Sequence, residues 1–199
     1  MIKDNNSKAD HTKKLIIEQT ILLMKETDGN IELLTIRSIA ARAHVGVGLI
    51  NHYFESKKKL IEICVQTMIG GVVHSFKLEK SDGMKPIDMT KHVAMQVADF
   101  LMENKQISKV SILGDMKNPK EKDNSIDTAL GFAYCMSGGQ NPKKYMKKAF
   151  YLLSILQEAF LRKDVLVQNI GVDFYDKKQR DCYIEEIIDI IIGGEVCNT

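Results

Sequence analysis

Nucleophiles, acids and metal ligands all occur in this 199-residue chain, but not at spacings that do chemistry. The five histidines, His11, His44, His52, His74 and His92, form no His-Glu-x-x-His group, and no phosphate-binding loop is present. Cys64, Cys135, Cys182 and Cys197 make no Cys-x-x-Cys pair and have no histidine at zinc-finger spacing, so they read as reduced thiols. Neither an enzyme nor a metal site is expected. What does stand together is a set of hydrogen-bonding and cationic groups between positions 35 and 57. Thr35, Arg37, Arg42, His52, Tyr53 and Lys57 suit phosphate oxygens. Asn51 suits an adenine edge, Val47 a thymine methyl, and His44 is a further candidate for a base contact. Gly46 opens a helix whose free N–H groups favour anions. Gly48 costs that helix about 1 kcal/mol relative to alanine, which a close backbone approach to DNA would justify.

These residues need two short helices held at an angle. The pattern Ile36, Ile39, Ala40, Ala43 predicts the first, with the Thr35 hydroxyl as its cap. His44-Val45-Gly46 breaks it, and the second runs over about 47–53. Small Ala40 lets the two approach closely. This is the layout of a helix-turn-helix DNA reader. The competing reading is a small helical subdomain whose arginines are merely solvated. A helix over 9–26 precedes the pair and ends at Asp28-Gly29-Asn30; Ser56 caps another from Lys57 to about Phe76. Residues 1–60 hold 10 Lys/Arg against 7 Asp/Glu, a mildly basic front that allows a phosphate-facing surface.

The stretch 34–60, LTIRSIAARAHVGVGLINHYFESKKKL, resembles the DNA-binding signature of the TetR family of bacterial regulators. The matching residues are Thr35, Ile39-Ala40, Ala43-His44-Val45, the run Ile50 to Phe54, and Ser56-Lys57 with Leu60. The resemblance covers about residues 10–60. It implies that Thr35 and Arg37 contact the DNA backbone, that Val47 and Gly48 face bases, and that His52, Tyr53 and Lys57 contact phosphates. Two positions depart from the family pattern. His44 stands where glycine is usual in the turn, and Asn51 where tyrosine is usual, which alters operator preference.

Beyond Pro86 the chain reads as helices near 87–103, 106–117, 124–137, 143–167 and 174–192. The expected fold is all-α with about nine helices. A helix-turn-helix domain spans 1–55, a connecting helix 56–80, and a helical effector-binding and dimerisation domain 81–199. The resemblance implies a homodimer that binds a roughly palindromic double-stranded operator as a repressor and is released by a small-molecule effector. No other cofactor is expected. An activator with the same head, or a helical protein-interaction module, is the alternative. Apolar positions on several sides of the last two long helices suggest a partner-facing stripe, with Phe150, Leu153, Gln157, Phe160, Tyr183, Ile187 and Ile191 as candidates. Met95, Asp99, Met102, Phe132 and Met136 are candidates for lining the effector site, methionine being adaptable to varied ligands. No run of 18 apolar residues predicts a membrane span, and the polar start MIKDNNSKADHTKK predicts no secretory signal, so the expected location is the cytoplasm.

Overall fold

The computed structural model describes the backbone of residues 2–27, 30–78 and 83–193, and side chains over 9–27, 30–69 and 83–193. Cys197 and His74 lie outside the residues described by side chain. Ten α-helices occur among the described residues: α1 Ile2–Glu26, α2 Ile36–Arg42, α3 Val47–Phe54, α4 Lys57–Leu78, α5 Pro86–Glu103, α6 Lys105–Lys117, α7 Asn124–Met136, α8 Pro142–Leu161, α9 Leu166–Ile170 and α10 Lys177–Gly193. No helix among these residues is long and apolar enough to cross a membrane. The fold is all-α, as expected. By packing the chain divides into two units, one of residues 1–71 with 104–114, the other of 72–103 with 115–199.

In the first unit the core includes Ile16 and Met24 of α1, Ile39 and Ala40 of α2, Ile50 and Phe54 of α3, and Leu60, Ile61, Cys64 and Val65 of α4. Thr20, a polar residue within the apolar pattern of α1, is fully buried; its hydroxyl donates to the Ile16 carbonyl at 2.7 Å. That bond removes the penalty of an unpartnered buried hydroxyl. The Cys64 thiol donates to the Ile17 carbonyl at 3.7 Å, joining α4 to α1. Burial pushes that thiol up to about 12, so it is inert as a nucleophile at neutral pH.

In the second unit α7 and α8 pack along each other, with α5 and α10 against them. Ala94, Ala98, Ala129, Ala133 and Ala149 are buried completely, and their small size lets the helices approach. Phe132, Leu152, Leu156, Phe160, Ile184 and Ile188 fill the remaining space. Ion pairs fasten α10 to α5. Buried Arg180 donates to Asp99 at 2.6 Å and to the Phe174 carbonyl at 2.8 Å, Lys177 reaches Asp99 at 2.6 Å, and Lys91 reaches Asp189 at 2.7 Å.

Three boundaries differ from the sequence reading, one being the last helix, which begins at Lys177 and not near residue 174. The expected helix over 143–167 ends at Leu161, where Arg162 closes it by donating its N–H to the Glu158 carbonyl, and α9 is a separate short helix. The first helix begins at Ile2 rather than near residue 9. A 3-10 turn over Ile31–Leu33, held by the Asn30 side chain accepting from Glu32 N–H, was not visible in the periodicity.

Candidate nucleic-acid interface

The start of α2 is fixed by a reciprocal cap. Ser38 N–H donates to the Thr35 hydroxyl at 3.0 Å, and Thr35 N–H donates to the Ser38 hydroxyl at 3.0 Å. Two of the helix's otherwise orphan donors are thereby satisfied. Thr35 and Arg37 remain exposed at this end. The other end closes through a left-handed residue. Val45 N–H donates to the Ala40 carbonyl at 3.0 Å and His44 N–H to the Ala41 carbonyl at 3.2 Å, with His44 at φ 53. This pair of bonds is the Schellman arrangement, which places its left-handed residue where His44 stands. A side chain therefore occupies a site whose backbone favours glycine, and it points outward from an exposed turn.

α3 follows at once. Gly46 is its N-cap, in extended conformation and without a side-chain cap bond. Ile50 and Phe54 turn inward against the unit's core, with Leu49 half-buried beside them. Val47, Gly48, Asn51 and His52 lie on the exposed side. A Cβ placed on Gly46 or on Gly48 would meet nothing within 4 Å. Neither glycine has a positive φ. Backbone geometry and internal packing thus leave both positions open to a larger residue.

Tyr53 is half-buried, with Phe54 edge-on at 6.3 Å and two further partners. The His52 ring lies 5.2 Å away, tilted by 56°, and the Lys13 ammonium of α1 is 5.4 Å from the Tyr53 ring centroid. The lysine's approach is of cation–π type and adds a positive charge beside the tyrosine. Lys13 escaped the sequence reading because nothing local links it to a position 40 residues on. α3 ends at Glu55, whose φ of 63 and ψ of −41 form a γ-turn closed by Ser56 N–H donating to the Phe54 carbonyl at 2.6 Å. The Ser56 hydroxyl then accepts from Lys59 N–H at 3.2 Å and caps α4. Lys57 opens α4, half-buried and at the positive end of its dipole.

Thr35, Arg37, His44, Gly46, Val47, Gly48, Asn51, His52, Tyr53 and Lys57 therefore all retain solvent access within the first unit. Arg42 does not stand free beside them. Its guanidinium donates to both carboxylate oxygens of Glu26 at 3.0 and 2.6 Å, tying α2 to α1. That bond holds the Glu26 carboxyl below its ordinary value and the Arg42 guanidinium above its own.

In the second unit Phe132, Met136 and Met102 are buried on the packed helices α7 and α5, and Met95 is half-buried. Asp99 already serves Arg180 and Lys177. Of the residues expected at a partner surface, Leu153, Gln157, Phe160 and Ile187 lie inside this unit's own core. Gln157 donates to the Ser125 hydroxyl at 2.9 Å, and Ser125 in turn donates through its N–H and hydroxyl to Asp115. Phe150 is exposed by 47%, while Tyr183 and Ile191 are half-buried. Tyr151 and Ile190 are exposed apolar residues absent from that expectation. No group of three or more metal-ligating side chains occurs among the described residues.

Residues 27–64 match the family model described as bacterial regulatory proteins, tetR family. The solved structures that resemble most of the chain include two bacterial regulators. One, a TetR transcriptional regulator from Rhodococcus sp. RHA1, shares 17% identity and a TM-score of 0.60, with 94% of this chain and 97% of that one covered. The other, a TetR-like transcriptional regulator from the same organism, shares 11% identity and a TM-score of 0.52, with 92% and 97% covered. Among curated proteins none matches the chain.

Proposed function

We propose that this chain, whose residues 27–64 match the tetR family of bacterial regulatory proteins, acts as a dimeric repressor released from a palindromic operator by a small molecule. The exposed side of α3 is the reading surface. Thr35, Arg37, His52, Tyr53 and Lys57 hold phosphates and set the register, leaving Val47, Gly48, Asn51 and His44 toward the base edges. Two copies related by a two-fold axis would present their α3 helices about 34–36 Å apart, or a multiple of that, on one face of a duplex. The effector binds the second unit, where Met95, Asp99, Met102, Phe132 and Met136 are the proposed lining. It lowers operator affinity to the extent that it prefers the form that does not bind DNA.

The observation that supports this most is the open space around Gly48. A glycine inside a helix lowers its stability by about 1 kcal/mol relative to alanine. Here neither φ nor an internal neighbour requires it. The reason for it lies outside the chain, and a duplex edge brought against bare backbone supplies one. Gly48→Ala should therefore raise the resistance to urea by about 1 kcal/mol while weakening binding to a duplex selected from a random pool. A variant that gains stability and binds that duplex as tightly as the original would sink the assignment of α3 as the reading helix.

A further inference from the structure

The reading side of α3 combines two features that a soluble helix avoids. Val47 is a β-branched apolar residue at the first helical position, 41% exposed, with bare glycine on each side of it. β-Branching is mildly unfavourable in a helix, and exposure of the isopropyl group gains nothing from water. Asn51, four residues on, is exposed on the same face. Asparagine also favours caps and turns over helix interiors. Both residues are thus poor choices for the fold and suitable choices for a partner with one apolar and one two-point polar feature.

The major groove offers that pair on A·T base pairs. Thymine alone carries a methyl group there, and adenine presents a donor and an acceptor that a carboxamide matches through two bonds. Guanine is most often read by arginine or lysine, and α3 (VGLINHYF) contains neither. The nearby cations stand elsewhere: Arg37 at the start of α2, Lys57 at the start of α4, Arg42 bound to Glu26. The four-residue separation of Val47 and Asn51 is about 6 Å along the helix, close to two base-pair rises of about 3.4 Å.

We propose, resting on the DNA-binding reading above, that this head is specific for A·T pairs, with Val47 seated on a thymine methyl and Asn51 on an adenine edge about two base pairs away. Gly46 and Gly48 leave the valine standing clear so that its methyls meet the groove first.

The test uses the full chain and a duplex selected by it from a random pool. Single thymines in each half-site are replaced by deoxyuridine, which removes only the methyl group. One such replacement should weaken binding about fourfold, the worth of a buried methyl group. Val47→Ala should abolish that sensitivity. Asn51→Ala should reduce discrimination at one A·T pair by roughly tenfold. Both side chains are exposed, so neither variant disturbs the core. Selected half-sites in which every deoxyuridine is tolerated overturn the proposal, as do half-sites centred on a guanine whose recognition needs His52. In either case steep salt-dependent binding to unselected duplex leaves the DNA-binding reading intact. Failure to retain any duplex even at low salt overturns both.

Discussion

His44 holds φ 53 because the Schellman turn after α2 places a left-handed residue there, and the chain uses a side chain that does not favour it. An L-residue in that region costs roughly 1–2 kcal/mol. His44→Gly should therefore stabilise the protein by about 1 kcal/mol in urea unfolding; if the imidazole also touches the duplex, affinity falls in the same variant. A stability unchanged or lowered by the substitution would show that the histidine relieves its own strain through packing. The position was legible in the sequence, since the break after Ala43 and the glycine usual there both pointed to it. Glu55 was not. Nothing in its residue type announces a positive φ, which follows from the tertiary need to turn α3 into α4 within two residues. Arg42 was legible as a cation but not as one already committed, because Glu26 lies 16 positions earlier on a different helix.

At the scale of elements, periodicity located most helices to within a residue or two but failed at ends set by local hydrogen bonds. α8 and α9 read as one helix since Val165 and Leu166 continue an apolar pattern; the turn at residues 162–165 comes from backbone bonds that composition does not encode. Helices in the second unit also carry two carboxylates with opposite responses to acid. Burial works to raise the Asp99 carboxyl, but hydrogen bonds from Lys177 and Arg180 together outweigh it and hold it below the usual range. Its contribution to stability is present above the unfolded carboxylate value and lost as pH falls through the lower folded one. Burial pushes Asp115 upward, only partly offset by its bonds from Ser125. A raised acid binds protons more tightly when folded, so stability falls as pH rises from the unfolded value through the folded one. Asp99→Asn should cost about 3 kcal/mol at neutral pH, because Arg180 is left buried without its counter-charge, and should flatten the acid limb of a stability–pH curve. Asp115→Asn should hold or raise stability at neutral pH and remove the decline just above the ordinary carboxylate range. The reverse pattern in the two curves would contradict these assignments.

For the molecule as a whole, the all-helical build and the helix-turn-helix followed from pattern, spacing and resemblance, while which apolar residues of the last long helices stay outside the chain's own core did not. A helix apolar on several sides does not disclose which side faces its own chain. α8 is flanked by α5, α7 and α10, so Leu153, Gln157 and Phe160 turn inward and the apolar surface left over includes Phe150, Tyr151 and Ile190. If the proposed dimer forms through α8 and α10, Phe150→Glu or Ile190→Lys should yield a helical monomer in sedimentation and lose cooperative binding to a two-half-site duplex; a persistent dimer in both variants would move the contact elsewhere. The γ-turn at Glu55 bears on how such a regulator would be switched. It joins α3 to α4 with two residues, one bond closing the turn and another capping the next helix, which leaves no slack in the linkage. Tilting the start of α4 by a few degrees would carry the recognition rod along with it, as a key turns with its bow. Such a switch, in the proposed dimer, would need neither melting nor refolding of the head, only misalignment of two intact keys with a lock cut to a fixed spacing.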